Sequence, residues 1–161
     1  MKPSAETRIG KKLAELGLTV SVAESVTGGL IGSRFTDVAG SSDYFMGGVV
    51  SYSNDAKVKL LSVKKETLAR HGAVSEQTAR EMAEGVRRSF GTDIGLAVSG
   101  IAGPGGATKD KPVGLMWLAI SAKDFSQARS IRLSGDRLQN KAGAADEVFA
   151  LLEEYVDTLF P

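Results

Sequence analysis

The chain has 161 residues, 42% apolar and 24% charged, with a formal net charge of +1. That balance suits one globular domain with a sizeable core, and the near-neutral charge supplies no field to hold nucleic acid or an anionic membrane surface. There is no cysteine and a single histidine, His71, which excludes disulfides, thiolate ligands, a cysteine nucleophile and any multi-histidine metal site. No apolar run reaches membrane-spanning length. The stretch Met1 to Leu18 is charged and amphipathic rather than a signal peptide, so a cytoplasmic setting is expected.

The pattern predicts a first helix over Ala5 to Leu16, with Ile9, Leu13 and Leu16 on one face. The alternating run Leu18-Thr19-Val20-Ser21-Val22 reads as a half-buried strand. It leads into Ala23-Glu24-Ser25-Val26-Thr27-Gly28-Gly29, and a helix over Leu30 to Val38 follows. Ser25 is thus expected at the carboxyl end of a strand, just before a glycine-led helix start. Open α/β sheets gather ligands at such ends, and bare helix-start amides favour a phosphate or a developing oxyanion. A plainer reading makes Ser25 or Thr27 only an N-cap and the glycines only a tight turn. This stretch alone leaves both open.

Ala39-Gly40-Ser41-Ser42 breaks the chain before a second strand, Gly48 to Tyr52. Ser53-Asn54-Asp55 is helix-start chemistry for a segment carrying Ala56, Lys57, Leu60 and Leu61. A short helix over Lys64 to Arg70 ends at His71-Gly72, a glycine C-cap. Ser75 caps an amphipathic helix with Ala79, Met82, Ala83, Val86 and Phe90 on one face. Asp93 to Ser99 is a strand buried on both faces, and Ile101 to Pro112 is a glycine-rich loop. Val113 to Ser121 is another buried strand, turned back at Lys123-Asp124-Phe125 into an antiparallel edge strand over Gln127 to Leu133. The last helix starts near Arg137 and buries Val148, Leu151, Leu152, Tyr155 and Leu159. This order implies a single domain over residues 1–161, a three-layer α/β/α fold with a five-stranded mixed, mostly parallel sheet.

In such a sheet the strand ends at Ser25, Tyr52 and Ser99-Gly100 meet on one side. They predict a crevice lined by Ser25, Thr27, Tyr52, Lys57 and the 99–106 loop. Lys57 falls in the first turn of its helix, where a cation faces the positive end of the macrodipole. It is either solvated or held there with a depressed pKa, as the neutral amine that takes a proton from a serine. The loop Ser99-Gly100-Ile101-Ala102-Gly103-Pro104-Gly105-Gly106 brings amides close to an anion, or is merely a flexible connection. It matches neither the Walker loop nor the Rossmann fingerprint. Arg137, in Ser134-Gly135-Asp136-Arg137, is either a phosphate fork or a solvated loop arginine. Glu24 either orients Ser25 or neighbouring amides, or is a half-buried strand-end charge. His71 reads as helix-end punctuation.

Six stretches, in this order along nearly the whole chain, resemble the C-terminal domain of the CinA proteins. They are Ala23 to Gly29, Tyr52-Ser53-Asn54-Asp55-Ala56-Lys57, His71-Gly72-Ala73-Val74-Ser75, Ser99 to Pro104, Lys111-Pro112-Val113-Gly114 and Ser134 to Arg137. That family includes a stand-alone nicotinamide mononucleotide deamidase. The resemblance implies a serine amidase with a Ser-Lys pair: Ser25 as nucleophile, Lys57 as its base and Tyr52 beside them. Glu24, Thr27, Gly28, Gly29, Ser99, Gly100, Gly103 and Arg137 would line the substrate site. It implies hydrolysis of nicotinamide mononucleotide to nicotinate mononucleotide and ammonia in pyridine nucleotide recycling, with no cofactor and no metal. The expected partner is a small-molecule nucleotide, not nucleic acid or membrane, and a homodimer or other homo-oligomer is left open. The competing reading is a non-catalytic nucleotide-binding module linked to competence or the DNA-damage response. Two departures bear on this. The N-terminal domain of full-length CinA is not in this chain, so its pyrophosphatase activity is not expected. Leu138-Gln139-Asn140-Lys141 stands where relatives often carry another arginine after Arg137, which puts a second guanidinium contact in question.

Overall fold

Alternation along the central strands sorts large side chains to one face of the sheet and small ones to the other. On β1 (Val20–Glu24) and β3 (Ile94–Gly100), Val20, Val22, Ile94, Leu96 and Val98 line one side. Ser21, Ala23, Gly95 and Ala97 line the opposite side, as a period of two requires. The structure, a computed structural model, describes residues 1–160. The large face is covered by α1 (Ala5–Leu16), α2 (Leu30–Thr36) and α6 (Arg137–Asp157), which contribute Ile9, Leu13, Ile31, Phe35, Val148, Leu151 and Leu152 to the core. The small face is covered by α5 (Glu76–Phe90), with α3 (Asn54–Leu61) and α4 (Lys65–His71) beside it. Small residues let α5 lie close: a Cβ added at Gly95 would sit 2.2 Å from the Ala83 carbonyl oxygen.

The five strands are ordered β2-β1-β3-β4-β5, with β2 at Phe45–Val50, β4 at Leu115–Ala122 and β5 at Phe125–Arg132. β1 pairs in parallel with both β2 and β3, whereas β4 is antiparallel to β3 and to β5. Four strands therefore run one way and β4 alone reverses. The expected three-layer fold with a mixed, mostly parallel sheet is the fold the chain adopts. The chain leaves β1 toward β2 on one side, while β3 lies on the other. That makes the crevice beyond β1 and β3 a topological switch point.

Several boundaries and burials differ from the sequence reading, each for a tertiary reason. β1 begins at Val20 and is buried throughout instead of half-buried, because α5 covers its Ser21 side. β2 begins at Phe45, whose ring stacks on Phe35 at 4.8 Å, and stops at Val50, before Tyr52. α6 ends at Asp157, so Leu159 lies beyond it and is 39% exposed. Phe90, at the last turn of α5, is exposed as well. No helix among the described residues is long and apolar enough to cross a membrane.

Candidate active site

Glu24 and Ser25 leave the end of β1 on opposite faces, again by the alternation of a strand. The buried Glu24 carboxylate turns toward α2. Its Oε1 accepts the Thr27 hydroxyl at 2.6 Å and the Gly29 and Ile31 amides at 3.2 and 2.9 Å, and its Oε2 accepts the Gly32 amide at 2.9 Å. The start of α2 is therefore already neutralised from within the protein. This corrects the expectation that its amides stand bare for a phosphate or an oxyanion. Thr27, Gly28 and Gly29 belong to the same capping turn and do not line the cavity beside Ser25. Gly28 and Gly29 have φ of 63° and 108°, a region that favours glycine. Neither Ser25 nor Thr27 supplies a side-chain cap to α2.

Ser25 extends the β1 ladder by donating its amide to the Val98 carbonyl at 3.1 Å. Its hydroxyl then faces α3, where Ser53 caps the helix and Lys57 and Leu61, four residues apart, form the buried face. Lys57 Nζ lies 2.9 Å from Ser25 Oγ and donates to the Ser51 carbonyl at 2.7 Å. The Ser51 amide is itself tied to the Glu24 carbonyl at 2.8 Å, so the lysine's anchor is fixed to β1.

Lys57 is 1% exposed, and both its partners are neutral. No carboxylate pairs with it among the described residues. A buried cation without a counter-ion is costly, and this burial lowers the Lys57 pKa to about 8. Of the two alternatives open to this lysine, solvated or desolvated, the fold selects the second. A neutral amine 2.9 Å from a hydroxyl has the geometry to take its proton.

Ser25 and Lys57 form the floor of a cavity of about 290 Å3. Val26 lies beside them, and its N–H makes no hydrogen bond to protein among the described residues. Ala73 and Val74, between α4 and α5, form one wall. Ser99, Gly100, Ile101, Ala102, Gly103, Gly105 and Gly106 form another, with Tyr52 and Arg137 at the mouth. The Ser99 hydroxyl donates to the Ala73 carbonyl at 2.7 Å, so it joins the two walls instead of standing free. Arg137 is the first residue of α6 and donates to the Gly103 carbonyl at 2.8 Å and to the Tyr52 hydroxyl at 3.2 Å. Tyr52 is 64% exposed, and its hydroxyl bonds to Arg137, not to Ser25 or Lys57. Arg137 makes no ion pair among the described residues, so its charge at the mouth is met only by neutral oxygens.

The profile of the CinA C-terminal domain matches residues 2–156. The chain belongs to the CinA C-terminal domain family. It is 51% identical to a CinA-like protein of Kosmotoga olearia over 92% of this chain and 35% of that one. With a CinA-like protein of Chlorobium limicola it shares 48% identity over 94% of this chain and 37% of the relative. The chain thus spans little more than a third of the length of these relatives. A solved CinA superfamily protein from Klebsiella pneumoniae superposes with a TM-score of 0.93 at 34% identity, covering 96% of each chain. The competence/damage inducible protein of Agrobacterium tumefaciens superposes at 0.88 with 38% identity, over 96% of this chain and 97% of that one.

Two features of this CinA domain leave little trace in its sequence. Ser51 acts through its backbone carbonyl, for which no side-chain signal exists. Asn140 is 1% exposed and stands on the buried stripe of α6 with Ala144, Val148 and Leu152. Its one sign in the sequence is a polar residue on an otherwise apolar stripe at four-residue spacing.

Proposed function

We propose that this CinA domain is a nicotinamide-nucleotide amidohydrolase that converts nicotinamide mononucleotide and water to nicotinate mononucleotide and ammonia. The observation that supports it most is the unpaired, desolvated Lys57 amine 2.9 Å from Ser25 Oγ on a cavity floor. In this reading neutral Lys57 takes the Ser25 proton as Oγ bonds to the amide carbon. The Ser51 carbonyl holds one N–H of the amine, which leaves its lone pair for the serine. Charge gathers on the amide oxygen, and the free Val26 N–H follows the nucleophile directly, where serine hydrolases draw an oxyanion donor. The Lys57 ammonium returns its proton to the departing ammonia. Water, deprotonated by the same amine, then attacks the acyl-enzyme, and Ser25 leaves with the proton. Arg137 meets the anionic group of the nucleotide, with Tyr52 steadying its guanidinium. Glu24, Thr27, Gly28 and Gly29 act at one remove, by setting the turn that carries Ser25.

The test is ammonia release from nicotinamide mononucleotide by the purified chain. Ser25→Ala should lower kcat by at least about 1,000-fold while nucleotide binding persists. Nicotinamide riboside, without the phosphate, should react with kcat/KM lower by at least about tenfold. Turnover within a few-fold of wild type in Ser25→Ala would remove the assignment. Nucleotide binding without ammonia release would favour the binding-module reading.

A further inference from the structure

Asn140 touches neither Ser25 nor the cavity, yet its amide group is fully engaged. Its Oδ1 accepts the Gly135 N–H at 3.0 Å. Its Nδ2 donates to the Gly135 and Ala102 carbonyls, each at 3.0 Å. Gly135 immediately precedes Asp136, the cap of α6, and Ala102 immediately precedes Gly103, whose carbonyl accepts from Arg137. Asn140 and Arg137 lie one turn apart on the same helix, so they grip consecutive carbonyls of the cavity loop.

That grip has a directional consequence. In a trans peptide the C=O and the following N–H point opposite ways. Turning the Ala102 carbonyl toward α6 therefore turns the Gly103 N–H away from α6. Gly103 lines the cavity, and its N–H has no protein acceptor among the described residues. With the start of α2 closed off by Glu24, this wall is where the site presents an unpaired positive charge and a free amide together.

We propose that Asn140 is a positioning residue for substrate selection. By fixing the Ala102–Gly103 peptide and the turn that launches Arg137, it makes the cavity prefer a ligand bearing a phosphate. The proposal rests on the amidase reading for its substrate but acts on recognition, not on the Ser25–Lys57 chemistry. Asn140→Leu removes all three hydrogen bonds while keeping the branched outline of the side chain, and Asn140→Asp keeps the acceptor but has no N–H for Ala102.

In both variants KM for nicotinamide mononucleotide should rise about tenfold, with kcat within about threefold of wild type. Efficiency on nicotinamide riboside should be nearly unchanged. In an Arg137→Ala background, Asn140→Leu should add little further loss on the mononucleotide, because the two act as one unit. Calorimetric titration with nicotinate mononucleotide and nicotinate riboside reads the same preference without turnover, so it remains decisive if the wild type releases no ammonia. A parallel fall in kcat on both substrates would overturn the proposal in favour of a purely structural role. So would an unchanged preference for the phosphorylated ligand. If Asn140→Leu does not fold, the aspartate variant carries the same comparison.

Discussion

A lysine amine held away from water and from every carboxylate gives up its proton more readily, so more of it stands neutral and able to accept one near physiological pH. Free lysine titrates near 10.4, so at neutral pH almost none of it is available to accept a proton. Burial lowers Lys57 to about 8, which brings the neutral fraction at physiological pH into a useful range. The proposed mechanism requires the neutral form, so kcat/KM should fall as pH drops through about 8 and level off above it. A pH–rate profile flat between pH 6 and about 9 would deny Lys57 this role. Lys57→Arg keeps a charge but does not deprotonate at accessible pH. It should lose activity as completely as Lys57→Ala, and an arginine variant with a tenth or more of wild-type activity would reduce Lys57 to a fixed charge.

At the scale of elements, the turn from β1 to α2 is set by one carboxylate. Glu24 gathers three α2-end amides and the Thr27 hydroxyl, so α2, only seven residues long, is capped from the strand before it. Charge-assisted bonds of this kind contribute more than neutral ones. Glutamine in its place has one acceptor oxygen and brings an N–H where Gly32 already donates. Glu24→Gln should lower stability by about 2–3 kcal/mol, seen as a reduced Tm, with kcat falling as the Ser25 turn loosens. An unchanged Tm would mean that the turn holds without its carboxylate. The same carboxylate leaves the nearest helix start with no bare amides for an anion, which is why the proposed mechanism places that contact across the cavity at Arg137.

For the whole molecule, the desolvated lysine is a site of stored instability. Its folded pKa of about 8 lies below the unfolded value near 10.4, so between them the unfolded chain binds more protons and stability rises with pH. Below that window both states are protonated and the full penalty, on the order of 3 kcal/mol, remains. Lys57→Met removes the penalty but leaves the Ser51 carbonyl without its donor, at about 1 kcal/mol. At pH 7 the variant should therefore melt about 5 °C above wild type, and near pH 10.5 the gain should vanish or reverse. Thermal melts of both proteins at the two pH values check this. A variant less stable at both would show that the fold does not strain to bury this amine.

The sequence by itself determined the order and period of the elements, because alternation, caps and turn residues act over a few neighbouring positions. It put Ser25 at a strand end and Lys57 one turn into a helix, and spacing alone took both that far. Tertiary structure decided what each face met. The pleat sent Glu24 to α2 and Ser25 to α3, and the covering of β1 by α5 turned a half-buried strand into a buried one. Lys57 lost its water only because α3 packs its Lys57–Leu61 face inward. Tyr52 and Arg137, 85 residues apart, and Asn140 and Ala102, 38 apart, meet through the sheet order and nothing local. Local chemistry fixes which residue types stand where the chain turns. Burial, and with it protonation and hydrogen-bond partners, depends on what distant segments leave uncovered.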